Sequence, residues 1–254
     1  MNKEKVILSA MVIVLNEEKN IQRCLESLSW TDQIVLVDTG SSDKTKELAS
    51  KYTNKIFDLK WEGFGKSKEY AKSKAEGEWV LSMDADEVVP DKLKDEILNR
   101  ISSSQDMDGY FIPRKSNFLG KWIKHSGWYP DWVLRLFKKD KGYFTPDKVH
   151  ERVMLNGGVG YLKNEILHYT DPDLGHYLAK LNQYTTLAAE EMHKQGKGSS
   201  LFDIIFRPIA IFFKMYLFKA GFLDGMEGLL LAFCSAFHVF FKYAKLWHLN
   251  KSKS

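Results

Sequence analysis

Apolar runs and segments of helical spacing alternate along the first half of the chain. The apolar runs predict four buried strands, at residues 6–15, 33–38, 55–60 and 79–83. Between the first two, residues 21–28 place apolar side chains at the i, i+3, i+4 and i+7 positions of one helix face. Further helices are predicted over residues 44–52 and 90–101. Strands that alternate with helices indicate an α/β domain with a mostly parallel sheet.

Polar side chains follow three of these predicted strands, at the point where each strand ends. Asn16 and Glu17 follow the first strand, Asp38 ends the second, and Asp84 and Asp86 follow the fourth. Ligands of an open parallel sheet bind beyond the carboxyl ends of its strands. Two carboxylates one residue apart can reach one divalent cation, and such a cation can hold a diphosphate. The pattern therefore predicts a metal site at this edge of the sheet.

The same motifs occur in the order and spacing of a known family. They are Asn16-Glu17-Glu18, Asp38-Thr39-Gly40-Ser41-Ser42-Asp43 and Asp84-Ala85-Asp86-Glu87. With them the chain resembles the family 2 glycosyltransferases of the GT-A fold, over roughly its whole length. Residues 128–132, 135–137, 149–152 and 221–225 are most similar to the group that includes the lipopolysaccharide core β-1,4-glucosyltransferases. The resemblance implies an α/β fold with a Rossmann-like, mostly parallel sheet that binds a nucleotide-diphosphate sugar.

The chain is expected to have two parts. Residues 1–200 are predicted to form the glycosyltransferase domain, with a nucleotide-sugar half at 1–100 and an acceptor and base half at 101–170. A packing helix is predicted at residues 174–194 of this domain. Residues 201–254 are predicted to form amphipathic helices that associate with a membrane.

On the donor side, the resemblance implies a role for each carboxylate. Asp86 is expected to bind Mg²⁺ or Mn²⁺ directly, and Asp84 to lie near the metal or the ribose. A cation there would stabilise the negative charge on a departing diphosphate. Asp38 matches the carboxylate that accepts a hydrogen bond from the nucleobase, although aspartate is also favoured in such turns. The expected donor is a UDP-sugar.

Three further residues match positions near the nucleotide sugar. Asn16 and Glu17 are expected at the nucleotide, where Asn16 could instead only shape the turn. Lys68 lies where the family often places a basic residue close to the diphosphate, and a solvated helix face is the alternative. Glu69 stands where many relatives have asparagine, and this departure weakens the transfer of a phosphate role to Lys68.

An inverting transfer needs a base that takes the proton of the acceptor hydroxyl as it attacks the anomeric carbon. Glu151 is the first candidate, because His150 and Glu151 stand where many family members carry an acidic pair. Asp131 is the second candidate, within a Tyr-Pro-Asp-Trp turn whose aromatic rings could stack on a sugar. His150 is expected to orient Glu151 or to contact phosphate, with an ordinary structural histidine as the alternative.

Four other residues are candidates for the acceptor side. Arg135 and Arg152 are expected to contact phosphate or acceptor, since guanidinium groups bind phosphate in a bidentate way. Either arginine could instead pair with a local carboxylate. Trp128 and Trp132 are predicted to form an acceptor platform, although aromatic clusters more often belong to a core.

The C-terminal segment differs from the rest of the chain in charge and aromatic content. Residues 201–254 carry seven Lys and Arg against three Asp and Glu, and ten of the sixteen phenylalanines. Basic amphipathic helices rich in phenylalanine favour an anionic membrane surface. A helical hairpin that caps the core and a dimer interface are the alternatives. A transmembrane helix is disfavoured, because the longest uncharged run, residues 228–241, is shorter than the roughly 20 residues of a span.

Other features narrow the class of protein. Nucleic acid is a poor partner, because the C-terminal basic residues are interleaved with large aliphatic groups and no recognition motif accompanies them.

Cys24 and Cys234 show no metal or redox spacing and are expected to be buried thiols in a reducing cytoplasm. The first five residues are polar and no signal peptide is expected. The expected location is the cytoplasmic side of the inner membrane, at its surface.

These observations predict a metal-dependent, inverting hexosyltransferase. The resemblance favours UDP-glucose as donor and an inner-core heptose of lipopolysaccharide as the glycolipid acceptor, and leaves another lipid-linked glycan or a peptide open. A nucleotidyltransferase would be expected to carry a Gly-rich, basic loop where this chain has Asn-Glu-Glu. A catalytically silent nucleotide-sugar-binding module at the membrane surface is the other alternative, and the joint presence of Asp38, Asp84, Asp86 and Glu151 argues against it.

Overall fold

The computed structural model describes residues 6–103, 107–145, 152–171 and 173–251. The chain forms two compact units, and each contains two stretches of sequence. The first unit contains residues 1–114 and 131–168, and the second contains residues 115–130 and 169–254. This division differs from the predicted domains, because the helix expected to pack on the first domain belongs to the second unit.

The first unit is built on a mixed sheet. The described strands are β1 (Leu8–Val14), β2 (Gln33–Asp38), β3 (Ile56–Asp58), β4 (Trp79–Asp84), β5 (Glu87–Val88), β6 (Gly109–Phe118), β7 (Lys121–Trp122), β8 (Asp131–Lys138), β9 (Gly142–Phe144), β10 (Val153–Leu155), β11 (Val159–Tyr161) and β12 (Ile166–Asp171). The strand order is β3-β2-β1-β4-β8-β6-β12-β5. The first four strands are parallel, and β8 joins β4 in the antiparallel direction. Strands β6 and β12 each continue from the first unit into the second.

Burial explains why the apolar runs form strands. Every residue of β2 is buried, and so are all but one of β1. Parallel strands covered on both faces have such continuous apolar sequences. The covering helices are α1 (Ile21–Glu26), α2 (Thr45–Ala49), α3 (Phe64–Lys74) and α4 (Asp91–Ser102). The four strands predicted from the apolar runs are confirmed, with ends that differ by no more than two residues.

The second unit is mainly helical. Its helical segments are α5 (Leu174–Lys194), α6 (Leu201–Phe213), a π-helical turn (Lys214–Phe218), a 3₁₀ turn (Gly221–Asp224) and α7 (Gly225–Lys251). Helix α7 packs against both α5 and α6. The stretch 115–130 joins these helices through an apolar cluster in which Phe118 and Ile123 contact Leu231 and Cys234. Both cysteines of the chain are buried free thiols, as expected.

Polar contacts fix two of these helices. Helix α6 begins with a capping box in which Ser200 and Asp203 exchange side-chain and backbone hydrogen bonds. Bonds from the backbone and hydroxyl of Ser200, together with Arg207, lower the pKa of Asp203 to about 2. In α7, the ammonium of Lys245 donates to the side chains of Asn182 and Thr185 on α5.

By length and composition, the helical segment Gly221–Lys251 could cross a membrane. A span is disfavoured from sequence, because the longest uncharged run of this segment, residues 228–241, is short. Although α7 packs against α5 and α6, only 22 % of the most apolar stretch of this segment is buried.

Candidate active site

Parallel register brings Asp38 and Asp84 to the same edge of the sheet. Asp38 of β2 pairs with Val14 of β1, and Asp84 of β4 pairs with Ile13 on the other side of β1. Neighbouring strands lie about 4.8 Å apart, so the two aspartate backbones are on the order of 10 Å from each other. An elongated ligand such as a nucleoside diphosphate can reach both.

Asp38 is held in a turn that uses one of its two carboxylate oxygens. Oδ1 accepts hydrogen bonds of 2.8 Å from the backbone N–H groups of Gly40 and Ser41. Gly40 has a φ of 117°, a backbone conformation that residues with a side chain rarely adopt. Oδ2 is buried and has no hydrogen-bond partner among the described residues. Because a buried acceptor without a partner costs free energy, this oxygen is suited to bind a donor group of a ligand.

Asn16 and Glu17 make contacts that shape the loops after β1 and β2. Asn16 has a φ of 56°, and its Oδ1 accepts a 2.8 Å hydrogen bond from the N–H of Ser42. Glu17 accepts a 2.9 Å hydrogen bond from the side chain of Asn20 through Oε2. The turn-shaping alternative therefore describes the contacts of Asn16. Contact of either residue with a nucleotide stays a prediction.

Asp84 lies between two cations. Arg135 donates to its Oδ2 through Nη2, and the Nζ of Lys68 lies 3.1 Å from its Oδ1. Burial alone would raise the pKa of Asp84, but Arg135 and Lys68 outweigh it and hold the pKa well below its ordinary value. Lys68 is buried. Lys68 therefore lies at the acidic motif. It does not lie on a solvated helix face, the alternative that the sequence left open.

Glu87 fixes the loop that follows β4. It is completely buried, and its Oε1 lies 2.8 Å from Nη2 of Arg135 and 3.1 Å from Nη1 of Arg114. Its Oε2 accepts a 2.9 Å hydrogen bond from the N–H of Asp84. Although burial acts in the opposite sense, Asp84 and Glu87 together raise the pKa of Arg135. Arg135 thus pairs with carboxylates, the alternative that the sequence left open, and contact with phosphate stays a prediction.

Asp86 faces a histidine that no sequence motif indicates. The Nε2 of His168 lies 3.2 Å from Oδ2 of Asp86, and their side chains are 15 % and 22 % exposed. Strand β12 pairs antiparallel with β5 and sets His168 opposite Glu87. The two members of the pair are 82 residues apart in sequence. Only the pairing of β12 with β5 reveals that they meet.

A carboxylate oxygen and an imidazole nitrogen are both suitable ligands for a divalent cation. In the part of the chain that the structure describes, no three His, Cys, Asp or Glu side chains are grouped to hold a metal. A cation bound by Asp86 and His168 would leave positions for water and for a diphosphate. A carboxylate with an imidazole suits Mn²⁺ better than Mg²⁺, which prefers oxygen ligands alone. The residues present thus fit the expected metal.

Asp131, the second candidate base, is paired with Arg114. The two residues lie opposite each other on β8 and β6, and Oδ2 of Asp131 accepts hydrogen bonds of 3.0 and 2.6 Å from Nε and Nη2 of the arginine. Trp132 follows on the same strand and therefore projects from the opposite face. There its ring lies 5.1 Å from the ring of Tyr161. Asp131 and Trp132 consequently do not line the same side of the sheet.

The remaining predicted residues lie in several places. Trp128 belongs to the second unit, where its ring packs edge-on against Phe118 at 5.9 Å. Arg152 is exposed, and its N–H donates to Thr145 beside the small sheet of β9 and β10. His150 and Glu151 lie outside the described residues, so their roles stay predictions.

Comparison with known proteins identifies the class to which this fold and site belong. Residues 9–159 match the model of glycosyl transferase family 2. The chain is 29 % identical to the lipopolysaccharide core biosynthesis glycosyltransferase LpsC of Rhizobium meliloti, over 98 % of this chain and 95 % of that protein. It is 30 % identical to an uncharacterized glycosyltransferase of Rickettsia typhi, over 96 % of this chain and 87 % of that protein. The structure also matches the crystal structure of Staphylococcus aureus TarS 1–349 in complex with UDP, with a TM-score of 0.50 at 19 % identity. This match covers 98 % of this chain and 92 % of the TarS chain.

The fold and the acidic site at the strand ends therefore define a glycosyltransferase of the GT-A fold. The chain belongs to glycosyl transferase family 2. This finding confirms the family and the α/β fold class that the sequence motifs predicted.

Proposed function

We propose that this glycosyltransferase moves glucose from UDP-glucose, with inversion, to a glycolipid acceptor such as an inner-core heptose of lipopolysaccharide. Similarity to LpsC, a protein named for lipopolysaccharide core biosynthesis, supports the acceptor class. The observation that carries the donor assignment is Oδ2 of Asp38, which is buried and unpartnered in the described part of the chain. Uracil has an N–H group from which this carboxylate oxygen can accept a hydrogen bond.

The residues of the acidic motif would act on the diphosphate. Held by Asp86 and His168, a divalent cation would supply Lewis-acid stabilisation of the departing diphosphate. Lys68, whose ammonium already lies 3.1 Å from Asp84, would add a positive charge at the same place. Glu87 and Arg135 hold the loop through buried hydrogen bonds, so little reorganisation is needed when charge develops.

Proton transfer from the acceptor would fall to Glu151, with Asp131 as the second candidate. Nε and Nη2 of Arg114 both donate hydrogen bonds to Oδ2 of Asp131. Oδ1 of Asp131 is therefore not used by that pair. Comparison of Glu151→Gln with Asp131→Asn in transfer assays, with donor binding measured in parallel, distinguishes the two bases.

The experiment that tests the donor is calorimetry with four nucleotide sugars, first with Mn²⁺ and then with a chelator. The panel contains UDP-glucose, UDP-galactose, UDP-N-acetylglucosamine and GDP-mannose. Tightest binding of UDP-glucose, lost with the chelator, is the expected result. Binding of GDP-mannose alone, or equal binding with and without metal, would contradict the proposal.

Replacement of Asp38 with asparagine should weaken UDP binding by roughly ten- to a hundredfold, since a hydrogen bond to a charged group contributes about 1.5–3 kcal/mol. The amide oxygen can still accept from Gly40 and Ser41, which leaves the amide NH₂ at the position of Oδ2. Two donors then face each other at the base. Calorimetry with UDP measures the effect, and Asp43→Asn, a change in the same loop, is the matched control. Unchanged affinity of the Asp38 variant for UDP would show that Asp38 does not bind the nucleobase.

The helices of the second unit suggest how the enzyme reaches a glycolipid. Helices α6 and α7 and the turns between them leave many large apolar side chains exposed; we call these the C-terminal apolar surface. Its members include Phe202, Phe206, Phe213, Phe218, Phe237 and Phe241. Phe218 is 82 % exposed. Soluble monomers rarely expose large continuous apolar patches, so we propose that this surface lies in the membrane interface on the cytoplasmic side.

The basic residues of these helices are partly engaged within the second unit. Lys245 donates to Asn182 and Thr185, and burial lowers its pKa. Arg207 pairs with Asp203 at 2.5 Å. Lys214 and Lys219, in contrast, are exposed beside Phe213 and Phe218. We expect added salt to weaken binding to anionic vesicles without abolishing it, because screening acts on these exposed charges and leaves apolar burial unchanged.

Replacement of Phe206 and Phe218 together with glutamate should lower vesicle binding by about a hundredfold or more, since each buried phenylalanine contributes about 1.5–3 kcal/mol. Co-sedimentation with phosphatidylglycerol vesicles measures the effect. Leu98→Glu, which changes an exposed leucine of α4 in the first unit, is the matched control. Equal sedimentation of the double variant and the control would show that the C-terminal apolar surface does not bind lipid.

A further inference from the structure

The 3₁₀ turn Gly221–Asp224 binds the stretch 115–130 through one buried carboxylate. Asp224 is 3 % exposed. Its oxygens accept hydrogen bonds of 3.2 and 2.8 Å from the backbone N–H groups of Lys124 and His125. Nδ1 of the His125 ring lies 3.0 Å from Oδ1 of the same carboxylate. The segment that sequence similarity marked without assigning a role thus positions a histidine.

Close packing makes this arrangement specific. A Cβ on Gly221 would lie 2.6 Å from the hydroxyl of Ser126, and a Cβ on Gly228 would lie 2.0 Å from the carbonyl oxygen of Gly221. Ser126 has a φ of 61°, in the left-handed region, and its buried hydroxyl has no hydrogen-bond partner within the described residues. Non-glycine residues in this conformation cluster at functional sites, because surrounding contacts must hold them there.

The tautomer of His125 follows from its partner. A carboxylate oxygen accepts hydrogen bonds, so we assign Nδ1 of His125 as the donor in this contact. Nε2 takes no part in it and is left for another group. The His125 side chain is 35 % exposed, so solvent and solutes can reach the ring.

The stretch that carries His125 is basic, and Asp224 is the carboxylate in contact with the ring. Residues 115–130 contain Lys115, Lys121, Lys124 and His125 but neither Asp nor Glu. Lys121 is partly neutralised by Glu227 at 3.3 Å, whereas Lys124, next to the histidine, is exposed. A neutral sugar hydroxyl has no need of such surroundings. A phosphate or carboxylate group does, because it gains charge-assisted hydrogen bonds.

We propose that His125, oriented by Asp224, binds an anionic group of the acceptor, a phosphate monoester or a carboxylate, with Lys124 as its second contact. His125 binds as an imidazolium, in which Nδ1–H donates to Asp224 and Nε2–H donates to an oxygen of the anion. Asp224 is the positioning residue. This inference rests on the proposed function, since it assigns a charged substituent to the glycan that receives the sugar.

Nuclear magnetic resonance of the histidine rings tests the site directly. The protein is first saturated with UDP and Mg²⁺, so that the donor site does not take up the probes. Glycerol 3-phosphate, galacturonate and glucose are then titrated separately, and His125→Gln identifies the His125 signal. A saturable shift of that signal with glycerol 3-phosphate or galacturonate is expected, and the more effective probe tells phosphate from carboxylate. No shift with either anion, an equal shift with glucose, or an equal drift of all histidine signals would overturn the proposal.

Two variants test the roles of the neighbours. Asp224→Asn should remove the ¹⁵N signature of a protonated Nδ1 and raise the probe dissociation constant about tenfold. Lys124→Ala changes an exposed side chain and should raise it about threefold, which keeps the test valid if the Asp224 variant does not fold. His176→Gln, on α5, is the matched control and should leave the titration unchanged. Wild-type affinity in both the Asp224 and Lys124 variants would overturn the assignment.

The same samples separate this inference from the donor assignment. UDP binding is measured by calorimetry before each titration. UDP binding without a His125 shift overturns the acceptor-anion site and leaves the donor proposal intact. A His125 shift without UDP binding supports the acceptor-anion site and overturns the donor proposal.

Discussion

Replacement of Asp86 with alanine is expected to abolish the dependence of nucleotide-sugar binding on a divalent cation and to lower sugar transfer by at least about a thousandfold. The structure offers one carboxylate and one imidazole at this position, Asp86 and His168, 3.2 Å apart. Loss of either would leave a cation with one of these two ligands. Calorimetry with Mn²⁺ and UDP-glucose measures binding, and release of UDP measures transfer.

Two comparison variants make the Asp86 result specific. Asp91→Ala removes an exposed carboxylate in the first turn of α4, a short distance along the chain, and should behave as wild type. Glu151→Gln should bind the donor normally and lose transfer by about a hundred- to ten-thousandfold, as expected for a base. Equal loss of donor binding in the Asp86 and Glu151 variants would contradict this division of roles.

Replacement of Arg135 with methionine is expected to reduce the free energy of unfolding by about 3 kcal/mol, because Asp84 and the buried Glu87 each lose one of their two cationic partners. Arg135 is 6 % exposed and bonds to both Asp84 and Glu87, and Glu87 is completely buried. Denaturation by urea, followed by circular dichroism, gives the free energy.

Lys66→Met is the matched control for Arg135. Lys66 pairs with Glu62 at 2.8 Å, but both side chains are more than half exposed. Exposed ion pairs contribute about 0–1 kcal/mol, so this variant should be nearly as stable as the wild type. A loss below about 1 kcal/mol for the arginine variant as well would show that the carboxylates find other partners.

Local pattern was enough to predict the donor half of the fold. The apolar runs of β1, β2 and β4 are long and continuous, and parallel pairing needs no information beyond their order. Since each acid follows its strand directly, Asp38 and Asp84 had to meet at one edge once the strands were parallel. The acidic motif was therefore predictable in position as well as in kind.

Other contacts of the site depend on strand pairing that no local pattern encodes. His168 reaches Asp86 because β12 pairs with β5, a strand of two residues that the sequence did not predict. Arg135 reaches Asp84 because β8 joins β4 in the antiparallel direction. Both pairings connect segments about 50 or more residues apart. Sequence could suggest an arginine near carboxylates, but which carboxylates it meets follows from the sheet.

The division into units was also beyond local pattern. Helix α5 forms over the predicted residues, but periodicity does not say which of its apolar stripes is covered. In the structure α5 packs against α7 and buries Leu181, Thr185 and Ala189, whereas Leu174, Leu178, Tyr184 and Leu187 are exposed. Lys245 adds polar contacts between the two helices. A stripe of this kind needs its neighbour's position before it can be assigned to a domain.

The interrupted sequence of the two units has a consequence for how the chain folds during synthesis. The ribosome delivers the chain from the N-terminus, at about 5–20 residues per second. Phe118 and Ile123 are therefore made well before Leu231 and Cys234, the side chains that bury them. Until α7 has emerged, this nascent stretch carries unprotected apolar groups in the middle of a half-finished protein, where a chaperone could bind them.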